Sequence, residues 1–396
     1  MLLSILLPGS LFAQSLSGSW SPASSTGFSP RAAFAACVVD GKIYTLGGYD
    51  GSEFLDTLEV FDPALNVWSA PTTTGKFTPR KGLCCAVVGG KIYTLGGYDS
   101  SGASNIVEVF DPQTQIWTSL ITTGTFTKRW RAAAAVIDNN IYVLGGYNTD
   151  NGYLSTLEVL DPETKTWSTP STSGKMTGRT DLTACAVDGK IYVFGGQGSS
   201  ILISPEVFDP QANTWVTPQT TGTFTHREGL ASSVLDGKIY TIGGYDGIKY
   251  LNTLEVFDPS TNGWNTPQTT GTFTPRAGLA SVAANGSIYA LSGRDGTGFL
   301  NVNEVYTPRT NDVKEPKSAV ESRLFPNPTS GIVHLQQYSS EPVKIRIENM
   351  FGAVVTDPLE FSAVDTTIDL SNLPAGLYLI HLITEHNSIV KMVVKQ

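Results

Sequence analysis

One stretch of ten residues returns at nearly constant intervals and constrains the fold of this chain more than any other feature. GKIYTLGGYD begins at Gly41 and recurs, intact or with substitutions, along most of the sequence. Successive copies of its Gly-Gly pair are separated by 48 to 50 residues. The first residue of the pair is Gly47, Gly96, Gly145, Gly195 or Gly243, and Ser292 replaces it in the last copy. A period of this length predicts a repeat architecture in which each repeat is one supersecondary unit.

Each repeat divides into four strand-like segments, and side-chain size increases from the first segment to the fourth. The first is rich in Ala, Gly, Ser and Cys, and a tight-turn pair such as Asp40-Gly41 follows it. The second is the repeated stretch, the third reads LEVFDP or a variant, and the fourth carries tryptophan. Those tryptophans are Trp68, Trp117, Trp167, Trp215 and Trp264. Small inner and large outer side chains predict wedge-shaped blades, so the six repeats predict an all-β, six-bladed propeller.

The sixth repeat lacks its fourth segment, and the missing tryptophan lies at the other end of the chain. Trp20 stands 11 residues before Arg31, and each later tryptophan stands 12 residues before the corresponding arginine. The N-terminal strand around Trp20 is therefore predicted to complete the last blade, which closes the ring and removes its open edges.

The repeat pattern defines the domain organisation. Residues 14–310 are predicted to form the propeller and 311–322 a charged linker, and the alternating segments of 323–396 indicate a small immunoglobulin-like β-sandwich. Residues 1–13 are interpreted as a signal peptide. No Lys or Arg precedes its apolar run, so a truncated start or a chance apolar terminus are alternatives.

Composition excludes several classes of function. The net charge is −9 and no basic stripe is present, which argues against a nucleic-acid partner. No further apolar stretch is long enough for a transmembrane segment. His226 is the only histidine of residues 14–310, and phosphate-loop and metalloprotease motifs are absent, so no metal or cofactor is expected. The four cysteines are interpreted as buried thiols, because their spacing does not suggest a disulfide framework.

The Gly-Gly pairs, the tyrosine four residues before each second glycine and the spaced tryptophans resemble the kelch-repeat family over Gly18 to Pro308. The resemblance implies a β-propeller. It does not imply one function, since kelch propellers include partner-binding scaffolds, a copper-radical sugar oxidase and a sialic-acid mutarotase. The copper-radical site needs two histidine ligands, so that activity is not expected here.

The C-terminal residues resemble the type A sorting domain of the Bacteroidetes type IX secretion system. The resemblance rests on FPNPTSG from Phe325, NMFGAVV from Asn349, LPAGLY from Leu373 and the Lys391-to-Lys395 end. It implies export across both membranes by the type IX secretion machinery, with the mature protein secreted or held at the outer cell surface. An ordinary immunoglobulin-like accessory domain is the alternative.

Two charged positions recur in every repeat. The arginines are Arg31, Arg80, Arg129, Arg179, Arg227 and Arg276, and the glutamates are Glu59, Glu108, Glu158, Glu206, Glu255 and Glu304. Paired carboxylates would suggest a glycosidase, and a ring of arginines would suggest carboxylate binding. Sixfold repetition instead predicts an internal Arg–Glu pair in each blade.

Positions that break the symmetry are better candidates for ligand contact. The residue after each Gly-Gly pair is Tyr49, Tyr98, Tyr147, Gln197, Tyr245 or Arg294, and these six are predicted to encircle one end of the channel. The loops that lead to the same end mostly read TTGTFTPR, with departures at Lys81, Trp130-Arg131, Asp181 and Glu228, and Trp130 with Arg131 is the predicted contact site among them. Aromatic faces with polar tips suit sugar rings or peptide side chains, although the tyrosines could simply pack within their loops.

The sequence thus predicts an exported propeller that binds a glycan or a protein through one loop face. The alternative is a sugar-active enzyme, of the mutarotase or hydrolase kind, with an Arg/Glu/Tyr site on that face. Perturbed carboxylates converging in a pocket would favour the enzyme, and a shallow aromatic surface would favour the binding module.

Overall fold

A computed structural model describes residues 16–309, 322–337, 343–349, 354–356, 359–361, 365–383 and 388–396. The predicted signal peptide and nearly all of the predicted linker lie outside these ranges. The chain divides into two compact units, Met1–Arg309 and Thr310–Gln396. The described residues contain strands, turns and loops and no helix, which confirms the predicted all-β class.

Residues 16–309, the described part of the first unit, form 29 strands. In chain order they are β1 (Ser17–Ala23), β2 (Ala35–Val39), β3 (Lys42–Leu46), β4 (Leu58–Asp62), β5 (Val67–Ser69), β6 (Cys84–Val88), β7 (Lys91–Leu95), β8 (Tyr98–Asp99), β9 (Gly102–Ala103), β10 (Val107–Asp111), β11 (Ile116–Ser119), β12 (Ala133–Ile137), β13 (Asn140–Leu144), β14 (Tyr147–Asn148), β15 (Gly152–Tyr153), β16 (Leu157–Asp161), β17 (Thr166–Ser168), β18 (Thr183–Val187), β19 (Lys190–Phe194), β20 (Glu206–Asp209), β21 (Thr214–Val216), β22 (Ala231–Leu235), β23 (Lys238–Ile242), β24 (Leu254–Asp258), β25 (Gly263–Asn265), β26 (Gln268–Thr270), β27 (Ala280–Ala284), β28 (Ser287–Arg294) and β29 (Phe299–Arg309).

Two short hairpins, β8-β9 and β14-β15, form sheets of their own, and the remaining strands form six sheets that correspond to the six repeats. Five of them have the orders β2-β3-β4-β5, β6-β7-β10-β11, β12-β13-β16-β17, β18-β19-β20-β21 and β22-β23-β24-β25. The sixth has the order β27-β28-β29-β1-β26. Within each sheet the small-residue strand is innermost and the tryptophan strand is on or next to the outer edge. The order of side-chain sizes in the sequence is therefore the radial order of the blade.

The sixth sheet joins the two ends of the propeller sequence. β1 pairs antiparallel with β29 over seven residues, and Trp20 lies opposite Tyr306, as predicted. The Trp20 ring also stacks on Phe273 with 4.6 Å between centroids. The short parallel strand β26, which the sequence did not suggest, then covers the outer side of β1.

Every blade contains a buried ion pair between its recurrent arginine and glutamate. Arg80 Nη1 lies 2.5 Å from Glu108 Oε2, and both side chains are almost fully buried. The same pair is present in the other five blades, which confirms the internal pairing predicted from the sequence. The glutamate also accepts hydrogen bonds from the backbone N–H and hydroxyl of Thr78. Arg80 Nε donates to the carbonyl of Gly96, so the pair ties the segment before the inner strand to the Gly-Gly turn.

The described residues of the second unit form seven strands in two sheets. They are β30 (Ser322–Phe325), β31 (Ile332–Gln337), β32 (Val343–Asn349), β33 (Leu359–Phe361), β34 (Asp365–Asp369), β35 (Gly376–Ile383) and β36 (Ser388–Lys395), in the orders β30-β31-β34 and β33-β32-β35-β36. Val333 and Ile368 of the first sheet share one core with Ile345, Ile380 and Val393 of the second. The predicted sandwich is present, and β30 and β33 are additions that the sequence pattern did not suggest.

The sequence motifs of the second unit hold its C-terminal strand in place. The Asn327 side chain donates to the carbonyl of Met392 and accepts from the backbone N–H of Val394. The buried Lys395 ammonium donates to backbone carbonyls of the turn after β34, at Ser371 and Leu373. The motifs that carry the resemblance therefore have a structural role in this unit.

Candidate ligand-binding site

Two sets of turns meet at one end of the propeller channel, which we call the mouth. One set follows the Gly-Gly pairs. The other, the inner turns, comprises residues 32–33, 81–82, 130–131, 180–181, 228–229 and 277–278. In every blade the residue after the Gly-Gly pair bridges the first inner-turn residue. These bridges are Ala32–Tyr49, Lys81–Tyr98, Trp130–Tyr147, Thr180–Gln197, Glu228–Tyr245 and Ala277–Arg294. All eight predicted site residues thus lie at the mouth.

The opposite end carries the tight hairpins and a set of surface ion pairs. Lys91 Nζ lies 3.0 Å from Asp111 Oδ2, and equivalent Lys–Asp pairs recur in three other blades. Their near-identity from blade to blade fits a role in turn geometry. The differences between blades that ligand recognition requires are found at the mouth.

The second residues of the inner turns form a closed ring of six backbone hydrogen bonds around the channel. Each N–H donates to the carbonyl of the equivalent residue in a neighbouring blade, over 2.6 to 3.1 Å. The ring runs through Ala33, Gly82, Arg131, Asp181, Gly229 and Gly278. All six have positive φ, between 54° and 64°. The ring fixes the relative positions of the inner turns and hence of the side chains they carry.

Arg131 and Asp181 are the charged members of this ring. A positive φ suits glycine, and a larger residue there is strained. Three blades have glycine at this position, whereas Arg131 and Asp181 occupy it at φ 55° in two adjacent blades. Their side chains form an ion pair, with 2.8 Å between Arg131 Nη1 and Asp181 Oδ2. Burial raises the pKa of Asp181, and Arg131 opposes that shift.

A cavity of about 250 Å³ lies beside this ion pair at the mouth. Ala32, Ala33 and Ala277 line one part of it. Ala32 and Ala277 are the smallest residues at their position, which is Lys81, Trp130, Thr180 or Glu228 in the other blades. The polar part of the lining is formed by Arg131, Asp181, Glu228, Tyr245, Tyr250 and Arg294. Sites for drug-sized ligands usually measure ~300–1,000 Å³, so this cavity suits one compact group, such as a single sugar ring or side chain.

Two charged groups of the cavity lack side-chain partners. Within residues 16–309, neither the Glu228 carboxyl nor the Arg294 guanidinium forms an ion pair or side-chain hydrogen bond. Burial, together with the neighbouring Asp181, raises the pKa of Glu228. A carboxyl and a guanidinium that form no ion pair or side-chain hydrogen bond within residues 16–309 are available to hydrogen-bond a polar ligand.

A row of five aromatic rings, the aromatic belt, borders the mouth on the side of blades six, one, two and three. It runs Phe299–Tyr49–Phe54–Tyr98–Trp130, and successive centroids are 5.1 to 6.1 Å apart. These rings are half-buried, so each retains some accessible surface. Lys81 Nζ lies 4.4 Å from the centroid of the Tyr49 ring, and the Arg131 guanidinium stacks on Trp130. Burial and the nearby Arg131 and Arg294 lower the pKa of Lys81.

The predicted site residues do not converge on a single point. Tyr245, Arg131 and Arg294 line the cavity, and Tyr49, Tyr98 and Trp130 belong to the aromatic belt. Tyr147 packs against Tyr153 in its own loop, and the Gln197 amide donates to the neighbouring carbonyl of Gly198. The side chains of Tyr147 and Gln197 therefore make contacts within their own loops.

Several residues of the mouth were missed as site candidates. Phe54, Tyr250 and Phe299 each follow a predicted site residue by five positions. Phe54 and Tyr250 pack against that residue, whereas Phe299 packs against Tyr49 of the next blade. Lys81, Asp181 and Glu228 stood out only as departures from the repeated inner-turn sequence. Aligning the six repeats with one another would have revealed both groups, because it compares the inner-turn residues and the residues five positions after the predicted site residues.

Two general features of the described residues complete the survey of sites. Within them, no group of three or more His, Cys, Asp or Glu side chains is arranged to hold a metal ion. No helix among them has the length and apolar character needed to cross a membrane.

The blades, the ring and the mouth together define a β-propeller with a polar cavity at the end of its channel. A family model described as the KLHDC2/KLHL20/DRC7 Kelch-repeats domain matches residues 11–146 and 131–322. The chain belongs to the kelch-repeat family. A second model, the secretion system C-terminal sorting domain, matches residues 323–396. No curated protein matches the chain.

The sorting domain gives the destination of the protein. Domains of this family mark proteins for export through the type IX secretion system. The protein is therefore a kelch propeller that is secreted or displayed at the cell surface.

Deleting residues 323–396 should abolish surface display and secretion while leaving the propeller folded in the periplasm. The deletion removes the sorting domain and leaves the separate unit that ends at Arg309. Cell fractionation followed by immunoblotting of the native host measures the result. A full-length Lys190→Ala variant, altered only at the hairpin end, is the control and should be exported normally. Normal surface levels of the truncated protein would contradict this assignment.

Proposed function

We propose that this protein is a binding module that recognises a glycan or protein ligand through the mouth. The observation that carries the proposal is the concentration of asymmetry there. Side chains that differ from blade to blade surround one polar cavity, and the rest of the propeller repeats. A residue that is the same in every blade is explained by its role in the blade structure, so the residues that differ between blades are the candidates for ligand contact.

The proposed ligand is larger than the cavity. One compact polar group enters the cavity and hydrogen-bonds with Glu228 and Arg294, and the adjoining part of the ligand lies along the aromatic belt. Half-buried aromatic rings offer contact area with little loss of side-chain entropy, because their packing already holds them. This division accounts for a charged pocket and an aromatic surface at the same end of the molecule.

Trp130→Ala and Arg294→Ala should each weaken binding by about 1–3 kcal/mol, with little effect on stability. Trp130 ends the aromatic belt, and Arg294 is an exposed cation of the cavity. A glycan array and a panel of candidate proteins identify the ligand, and calorimetry then measures its affinity for each variant. Lys190→Ala, at the hairpin end, is the control. Unchanged affinity in both mouth variants would place the site elsewhere.

A glycine variant separates recognition from folding at the ring. Arg131→Gly combined with Asp181→Gly installs the residue that three other blades already have at this φ, so the strain is removed and no unpaired carboxyl is left. The expected result is weaker binding with unchanged or higher stability. Reduced thermal stability together with full affinity would show that Arg131 and Asp181 serve the scaffold.

One observation favours a second candidate, a sugar-active enzyme. Asp181 and Glu228 line the same cavity, and burial raises the pKa of both. A carboxyl group that stays protonated to higher pH can act as a general acid. Once a sugar ligand is known, Glu228→Gln distinguishes the two candidates. Ligand conversion that this variant loses while it still binds supports the enzyme, and unconverted ligand in the parent protein supports the binding module.

A further inference from the structure

The innermost strands of blades one and two bring two cysteines together. β2 carries Cys37 and β6 carries Cys85, 48 residues apart in sequence. The Cys85 side chain packs against the core cluster that contains Cys37, and its Sγ lies 3.3 Å from the carbonyl oxygen of Ala36. Cys85 therefore lies beside the strand that carries Cys37.

The repeat provides two internal comparisons for this contact. In the equivalent positions of blades four and five, Cys185 Sγ lies 3.0 Å from Ser232 Oγ. In those of blades five and six, Ser233 Oγ lies 2.5 Å from Ser281 Oγ. The propeller thus repeatedly brings these two side chains into contact across the interface between blades, and blades one and two have cysteine at both positions.

We propose that Cys37 and Cys85 form a disulfide bond that links blades one and two in the exported protein. Export takes the chain out of the reducing cytosol, and disulfides form and persist in such compartments. Cys84 faces a different core cluster and Cys185 contacts a serine, so these two remain thiols.

The reaction is thiol–disulfide exchange with an external disulfide donor, either a dithiol oxidase or a small-molecule disulfide. The Cys85 thiolate attacks a sulfur of the donor, forms a mixed disulfide and releases one donor thiolate. The Cys37 thiolate then attacks Cys85 Sγ and releases the second donor thiolate. Two protein thiols are oxidised and one donor disulfide is reduced, and the two thiol protons pass to the released thiolates.

The environment of Cys85 indicates when the bond forms. The neighbouring Cys37 thiol and burial raise the pKa of the Cys85 thiol well above its ordinary value. Little thiolate is therefore present once the blades have packed, and the thiolate is the reactive form. Oxidation belongs to the period before the inner strands close against each other.

The test compares full-length protein exported by its native host with the same chain made in a reducing cytosol. Each sample is denatured and alkylated without reductant and is then mapped by peptide mass spectrometry. In the exported protein we expect the Cys37 and Cys85 peptides to be linked, and only Cys84 and Cys185 to be alkylated. Four alkylated cysteines in the exported protein, or a link between other cysteines, would overturn the proposal.

Thermal unfolding with and without reductant supplies the second measurement. Reductant should lower the melting temperature of the exported parent protein by a few degrees, because the bond restricts the unfolded chain. Cys85→Ser should melt at the temperature of the reduced parent, with no further effect of reductant. That variant recreates the Cys185–Ser232 contact already present in the chain, so it should fold.

Cys185→Ser is the matched control, because it alters the position equivalent to Cys37 in a blade that lacks a cysteine partner. It should keep both the linked peptides and the effect of reductant on melting. A parent protein whose melting temperature does not respond to reductant would contradict the proposal, as would a Cys185→Ser variant that loses the link.

Discussion

Replacing Arg80 by alanine should lower the free energy of unfolding of the propeller by about 3–5 kcal/mol. The substitution leaves the Glu108 carboxylate buried without its counter-ion, and such an uncompensated charge is costly. It also removes hydrogen bonds to the carbonyl of Gly96 and the hydroxyl of Thr94. Denaturant unfolding followed by tryptophan fluorescence measures the change.

The same blade contains a matched control for this experiment. Lys91 pairs with Asp111 at the surface, where water screens the interaction. Lys91→Gln should leave the unfolding midpoint nearly unchanged. Similar midpoints for the two variants would mean that the buried pair contributes little, and a ligand role for the recurrent arginines would return. The expected result would mean that the buried Arg–Glu pairs stabilise the blades and hold the Gly-Gly turns in position.

Trp20→Ala should destabilise the propeller by about 3–5 kcal/mol, as large-to-small substitutions at buried aromatic positions do. Trp20 is 6% exposed and packs between Phe273 and Tyr306. Its loss weakens the strand that closes the ring, so limited proteolysis should cut near β29 sooner than in the parent. Ser21→Ala changes an exposed neighbour on the same strand and should stay within about 0.5 kcal/mol of the parent. Equal stability of both variants would exclude a closing role for β1.

Repetition explains how much of the fold was predictable. The Arg80–Glu108 pair and the place of Trp20 follow from counting, because a residue found in every repeat must satisfy the same local geometry each time. Strand β26 escaped prediction because it belongs to one blade only, where the N-terminal strand gives it a partner. Irregular additions of this kind carry no periodic signal.

The mouth was predictable as a region but not as a site. The spacing after the Gly-Gly pairs places Tyr49 and Arg294 at one end, yet the cavity depends on which neighbouring inner turns are small. Ala32 and Ala277 are small where other blades have larger residues, and alanine in a sequence gives no sign of a pocket. The Cys37–Cys85 contact was missed for a related reason. It depends on the register between inner strands of different blades, which no turn in the sequence specifies.

Closure of the ring by β1 also sets the order in which this protein can fold. Trp20 pairs with Tyr306, so the last blade cannot be completed until the ribosome has released the chain beyond Arg309. Joining segments this far apart has a large entropic cost and slows folding. Earlier blades can form one after another, but each intermediate keeps an open edge. A chain that lacks β29 thus remains an open arc, so the whole first unit must be available before the propeller becomes a closed, compact body.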